Sequence, residues 1–261
     1  MLRQTARYRA YSAAAANSRL HGTVIPHDLY VFLHSAVSPM EAPSRLDSPI
    51  RAALQAEVTK LNGIVNFSWA KEQPIAEQPD RHKITAYSRP GGRLELEISG
   101  ENMAQEVTST LWKHARGEAG EAQDESNYAI DFYVCTHKER DCRCGEHGYA
   151  VAEALRTEVT RRKESGSSNS AHRIRTVGET THVGGHKYAA NVLIYPFGDW
   201  LGNVRPEHVP TILDEVLKRP FLGPPSETEG DPPILPELWR GRMGLTNNQQ
   251  VEMYEKYVSQ Q

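Results

Sequence analysis

Apolar residues along this chain fall into short runs and periodic stripes that predict alternating strands and helices. Residues 28–34 (DLYVFLH) form an apolar run typical of a buried strand, whereas 93–99 alternates apolar and acidic side chains as a half-exposed strand does. Ser48 followed by Pro49 predicts a helix start, because serine caps helices and proline suits the first turn. The first half is predicted to contain, in order, a strand at 28–34, a helix from Pro49, a strand at 64–69, a loop at 73–90, a strand at 93–99 and a helix at 102–114.

The second half of the chain repeats this order of elements. Its apolar patterns predict a strand at 128–134, a helix at 148–161, strands at 172–177 and 191–195, and a helix from Pro206. The segment 118–127 (EAGEAQDESN) is acidic and has no large apolar side chain, which predicts a linker between the halves. We therefore expect an α/β protein of two lobes, each of about 100 residues.

The N-terminal segment has a different composition from the rest. Arginines are frequent in it and no acidic residue occurs before Asp28, which is typical of a mitochondrial transit peptide, a disordered basic tail being the alternative. The predicted location is the mitochondrial matrix or intermembrane space, with the cytoplasm as the alternative. The predicted boundaries are a transit peptide at 1–22, an N-terminal lobe at 23–117, a C-terminal lobe at 128–218 and a C-terminal extension at 219–261.

Composition narrows the class of protein. The 261 residues are 38% apolar and 24% charged, as in ordinary folded proteins, and the net charge of −3 gives no reason to expect nucleic-acid binding. No apolar run approaches the roughly 18 residues that span a bilayer. Three cysteines are too few, and an odd number, for a disulfide-stapled secreted domain. Cysteine and histidine are therefore expected to act in metal or redox chemistry.

The candidate chemistry lies in two loops of the second half. Cys135 directly follows a predicted strand, and the loop after it also carries Cys142 and Cys144. Downstream, His182 and His186 enclose two glycines that allow unusual backbone angles and close approach to a bulky group. Thiolate and imidazole together suit zinc or an iron–sulfur cluster, and do not suit magnesium or calcium. His137 and His147 are further possible ligands, so local sequence does not fix the set.

The spacing Cys-x8-Cys, followed by His-x-Gly-Gly-His, resembles the sucrase/ferredoxin-like proteins of fungi and plants. The segments 187–202 and 239–245 (WRGRMGL) are also similar to that family, and with the basic N-terminus the mitochondrial altered-inheritance branch of fungi is the nearest resemblance. The resemblance implies two thioredoxin-like lobes. In the C-terminal one it implies a [2Fe–2S] cluster bound by Cys135, Cys144, His182 and His186.

The function that follows is electron transfer in mitochondrial redox or thiol homeostasis. We expect an electron carrier rather than a stand-alone enzyme, with no catalytic residue, an unidentified redox partner protein, no nucleic acid and no membrane span. Cys142 does not fit the family spacing, and it is either a spare thiol or a competitor of Cys144 as ligand. Two alternative functions also stay open. One is a thiol–disulfide oxidoreductase that uses Cys142 and Cys144. The other is a structural Cys2His2 zinc module, although the cysteine spacing is longer than zinc fingers use.

Overall fold

A computed structural model describes residues 19–72, 80–118, 129–165, 169–219 and 231–259 of the chain. The strands in these ranges are β1 Leu29–His34, β2 Gly63–Trp69, β3 His82–Ser88, β4 Gly92–Ile98, β5 Ile130–Cys135, β6 Ile174–Thr180, β7 Val192–Tyr195, β8 Asp199–Leu201 and β9 Trp239–Arg242. The α-helices are α1 Pro49–Thr59, α2 Thr108–Ala115, α3 Tyr149–Glu164, α4 Val209–Lys218 and α5 Asn247–Val258. Short π-helical turns, Met103–Val107 and Cys144–Gly148, lead into α2 and α3.

All the strands of the described ranges join one mixed sheet in the order β4-β3-β1-β2-β6-β5-β7-β8-β9. β1 pairs parallel with β2, β5 pairs parallel with β6, and every other pairing is antiparallel. Strands β1 to β4 and strands β5 to β8 therefore have the same order and the same directions. The α/β class is confirmed. The division into two thioredoxin-like lobes and its boundaries stay predictions, because one sheet runs through both halves.

The two half-sheets are joined edge to edge and also through an aromatic core. The edge contact is short, with Ser68 opposite Thr180 and Trp69 opposite Glu179. Side chains alternate faces along a strand, so Phe32 leaves β1 on the face opposite to that of its chain neighbours. Its ring stacks on Tyr133 of β5 with the centroids 3.7 Å apart. The cluster around this stack includes Tyr30, Tyr87, Tyr195, Trp200, Cys135 and Cys144. The cysteine pair thus borders a core that both halves build.

Most predicted elements are present, with one clear correction. The helix from Pro49 begins where expected, and the Ser48 side chain accepts a hydrogen bond from the backbone N–H of Arg51. The expected loop at 73–90 is wrong over its second part, because His82–Ser88 is β3, which pairs with β1 on one side and β4 on the other. The segment 73–90 contains prolines and charged side chains that favour a loop, but pairing with a strand on each side makes residues 82–88 a strand. β8, β9 and α5 were not predicted from the sequence.

Some predictions fall on residues outside the described ranges. The predicted transit peptide is described from residue 19 onward, and the acidic linker only at residue 118. Among the described residues, the helices are too short or too polar for any of them to cross a bilayer.

Candidate metal centre

Cys135 and Cys144 meet because a helix start packs directly against the end of a strand. Cys135 is the last residue of β5, and its backbone N–H donates to the Asn191 carbonyl at 3.1 Å. Cys144 opens the π-helical turn that leads into α3. That turn ends at Gly148, where a Cβ atom would overlap the carbonyl oxygen of Cys135. Gly148 therefore permits the close approach, a role that sequence reasoning missed because glycine in a helix gives no local signal of what lies opposite.

The structure gathers three of the predicted donors tightly. The ligand atoms of Cys135, Cys144 and His182 all lie within 4.8 Å of one another. The Cys144 Sγ atom is 4.0 Å from His182 Nδ1. Both thiols are buried, whereas Cys142 is exposed and does not belong to this group. The geometry therefore selects Cys135 and Cys144 as the thiol pair.

His186 lies at the outer side of this group. Its Nδ1 atom is 3.5 Å from His182 Nε2, so the two imidazoles form a pair of their own. The His186 side chain is 48% exposed, and its Nε2 atom is 4.0 Å from a carboxylate oxygen of Asp141. Among the described residues His186 does not join the set of donors that are all mutually within 4.8 Å. The four predicted donors thus form a buried thiol pair and an outer imidazole pair, with His182 in contact with both.

The thiol pair shares its protons unequally. A hydrogen bond from Cys144, helped by one from His182, holds the pKa of Cys135 well below its ordinary value against the opposing effect of burial. The same hydrogen bond, together with burial, raises the pKa of Cys144. The pair therefore favours a thiolate on Cys135, the form in which sulfur binds metal.

Two other histidines proposed as ligands from the sequence do not join the centre. The backbone N–H of His182 donates to His137 Nδ1 at 3.3 Å. The remaining ring nitrogen of His137 therefore carries the proton and donates to the Pro43 carbonyl, 2.9 Å away. With both nitrogens engaged, His137 ties the histidine loop to a loop of the first half. His147 is also absent from the group of mutually close donors in the described chain.

Arg240 holds the inner side of the histidine loop. Its side chain is 3% exposed, and its guanidinium donates to neutral oxygens: Asn191 Oδ1 at 2.7 Å, the Thr23 carbonyl at 3.0 Å and Thr23 Oγ1 at 3.1 Å. Across the described ranges it has no ion pair with a carboxylate, whereas Arg242 on the same strand pairs with Asp199. Burial lowers the pKa of Arg240 to about 10, so the cation persists at neutral pH. A buried positive charge without a carboxylate fits a neighbouring site that carries thiolates.

The two glycines between the histidines have different surroundings in the structure. Gly184 and Gly185 both adopt left-handed backbone angles, with φ of +80° and +66°. A Cβ atom on Gly184 would meet nothing within 4 Å, whereas one on Gly185 would overlap the guanidinium of Arg240. Gly185 therefore permits a close approach of Arg240, and the close approach to a bulky group that the sequence suggests stays a prediction.

Alanine substitutions should separate these two roles. Gly184→Ala is expected to lower the free energy of unfolding by about 1–2 kcal/mol, the cost of a left-handed residue with a Cβ. Gly185→Ala should cost more, because Arg240 must also move. Urea denaturation of both variants measures the difference, and equal losses would show that the contact with Arg240 does not constrain Gly185.

Comparison with known proteins identifies the family to which this chain belongs. The fold and the site define an α/β protein with a buried cysteine pair beside a histidine pair. A model of the sucrase/ferredoxin-like family matches residues 20–241, and the chain belongs to that family.

Curated relatives come from yeasts. Altered inheritance of mitochondria protein 32 of Meyerozyma guilliermondii is 34% identical over 201 residues, which is 68% of each chain. The protein of that name from Candida glabrata is 26% identical over 54% of this chain and 47% of its own length. Actin patches distal protein 1 of Saccharomyces cerevisiae is 36% identical over 93 residues, 33% of this chain and 28% of that protein. The chain thus spans from two thirds to under a third of these relatives.

A search of solved structures finds a thioredoxin-like [2Fe–2S] ferredoxin from Aquifex aeolicus. It is 18% identical, covers 45% of this chain and 96% of its own, and has a TM-score of 0.30.

Proposed function

We propose that this protein transfers electrons through a [2Fe–2S] cluster held by Cys135, Cys144, His182 and His186. The observation that supports the proposal is the arrangement of the donors in two pairs, a buried thiol pair and an outer imidazole pair. Two pairs suit a group with two metal ions. When bound, such a cluster takes up and releases one electron at a time. The thiols anchor it, and the imidazoles replace two further thiolates without adding negative charge.

A single zinc ion fits this arrangement less well. Structural zinc takes four ligands in a closed tetrahedron, with all of them at similar distance from the ion. Here His186 stands apart from the tight group and its side chain is 48% exposed. Arg240 forms no ion pair with any described carboxylate, and its charge therefore favours a centre that becomes more negative when it reacts. A cluster becomes more negative on reduction, whereas a zinc ion does not change its charge.

Thiol–disulfide exchange by Cys142 and Cys144 is also less favoured. An exchanging thiol must be reached by its partner's sulfur, and reactivity follows thiolate content and exposure. Cys144 is fully buried, and its pKa is raised by its hydrogen bond to Cys135 and by burial. Cys142 is exposed, but Cys144, the second thiol of this alternative, is buried.

The setting that we propose is mitochondrial redox or thiol homeostasis. Relatives named for altered inheritance of mitochondria support an association with that organelle. The basic, acid-free start of the sequence agrees with it.

Anaerobic purification followed by metal analysis tests the proposal. We expect iron and acid-labile sulfide in equal amounts, a red-brown colour, and an EPR signal that appears after one-electron reduction. Protein that is colourless, with zinc as its metal, would contradict the electron-transfer function and favour the structural zinc module.

A further inference from the structure

A cavity of about 380 Å³ opens beside the proposed cluster ligand His182. It lies where the two halves of the sheet meet, since the first half contributes Arg45 and Arg51 and the second contributes Arg140, His137 and His182. Ligand and partner sites often occur at such junctions. An object bound here would therefore touch the side of the proposed centre.

The cavity is positively charged although the whole chain carries a net charge of −3. Its lining includes three arginines and no aspartate or glutamate. None of the three forms an ion pair with a carboxylate among the residues described, and Arg51 donates instead to the Val65 carbonyl at 3.0 Å. Asp141, next to Arg140 in the sequence, is occupied by Arg143 at 2.8 Å. The positive charge of the cavity is thus left for an external anion.

Hydrogen bonds fix the position of this charge relative to the centre. His137 donates to the Pro43 carbonyl, two residues before Arg45, and accepts from the backbone N–H of His182. The loop that carries Arg45 is therefore attached through one imidazole to the loop that carries the proposed ligand. Because these hydrogen bonds hold the two loops together, Arg45 lies near His182 even when no partner protein is bound.

We propose that this cavity docks an acidic surface of the redox partner protein, with Arg45 and Arg140 as the contacting charges. The proposal rests on the electron-transfer function proposed above, and it adds the chemistry of the partner. A protein surface is favoured over a small anion because Arg45 and Arg140 are exposed at an open rim. Small-ligand sites usually bury most of their ligand. Arginine clusters at such rims steer acidic partners and act mainly on association rate.

Binding of a fluorescein-labelled hexaglutamate peptide tests the acidic docking site directly. Fluorescence anisotropy at low ionic strength would compare the wild type with the double variant Arg45→Gln, Arg140→Gln. Loss of two exposed charge pairs is expected to weaken binding of the peptide by roughly 3- to 10-fold. Added salt should remove the difference between the wild type and the double variant. The matched control is Arg161→Gln, an exposed arginine of α3 paired with Glu158. Equal binding by the wild type and the double variant would overturn the proposal.

Charged electron acceptors test whether the same surface serves the centre. Reduced protein would be reoxidised by ferricyanide, an anion that takes one electron, or by hexaammineruthenium(III), a cation that also takes one. In the double variant, reoxidation by ferricyanide should be slower by a similar factor, whereas reoxidation by the ruthenium complex should not be slower. Arg161→Gln should change neither rate. Unchanged rates with both acceptors would overturn the link to electron transfer. Colourless protein that still binds hexaglutamate through Arg45 and Arg140 would contradict the proposed function but not the docking site.

Discussion

Replacing Cys144 by serine is expected to abolish binding of the proposed cluster, whereas replacing Cys142 by serine should leave it intact. The two residues are two positions apart in the sequence, but the structure buries Cys144 beside Cys135 and exposes Cys142. Cys144 Sγ also lies 4.0 Å from His182 Nδ1, within the tight donor group. A serine hydroxyl is a poor substitute for thiolate toward iron. Cys142→Ser is therefore the matched control, because it makes the same chemical change in the same loop.

Iron content and visible absorption of the anaerobically purified variants measure this contrast. Cys135→Ser should behave like Cys144→Ser, with loss of nearly all iron. Circular dichroism of the colourless variants would verify that they are folded. Should Cys142→Ser lose its iron while Cys144→Ser keeps it, the ligand pair would be Cys135 and Cys142, and the arrangement of the loop in the structure would be wrong.

The sequence predicted those parts of the fold whose signal is local. The apolar run of β1 and the Ser48–Pro49 start of α1 need no knowledge of the rest of the chain. β3 was missed because its strand character comes from being paired on both sides. β9 was missed for a similar reason, since the short segment Trp239–Arg242 becomes a strand only by pairing with β8.

At the candidate site, the sequence could supply the donors but not their arrangement. The paired histidines and the position of Cys135 at the end of a strand can be recognised in the amino-acid sequence. Whether Cys142 or Cys144 completes the pair depends on which of them the turn after β5 directs inward, and that turn depends on Gly148 packing against Cys135. Arg240 is far downstream, and only the fold shows that it lies against the histidine loop.

Removing the charge of Arg240 is expected to lower the midpoint potential of the cluster. In the proposed cluster two thiolates place negative charge at the centre, and reduction adds one further negative charge. For a separation of about 10 Å and an effective dielectric constant of about 20, a unit positive charge stabilises an added negative charge by roughly 1.7 kcal/mol, which is on the order of 70 mV for one electron. Arg240 is suited to this because its hydrogen bonds go to neutral oxygens and no described carboxylate neutralises it.

Two substitutions separate the charge of Arg240 from its packing. Arg240→Met keeps an apolar stem and should lower the potential, and it should also lower the free energy of unfolding by about 2–4 kcal/mol, since Thr23 and Asn191 lose a buried donor. Arg240→Lys keeps the charge but loses the planar fork, so its potential should stay near the wild-type value although its stability falls. Redox titration monitored by EPR, beside urea unfolding of the cluster-free proteins, gives both quantities. If lysine and methionine lowered the potential equally, Arg240 would act by holding the loop at Gly185, and its charge would have no part in setting the potential.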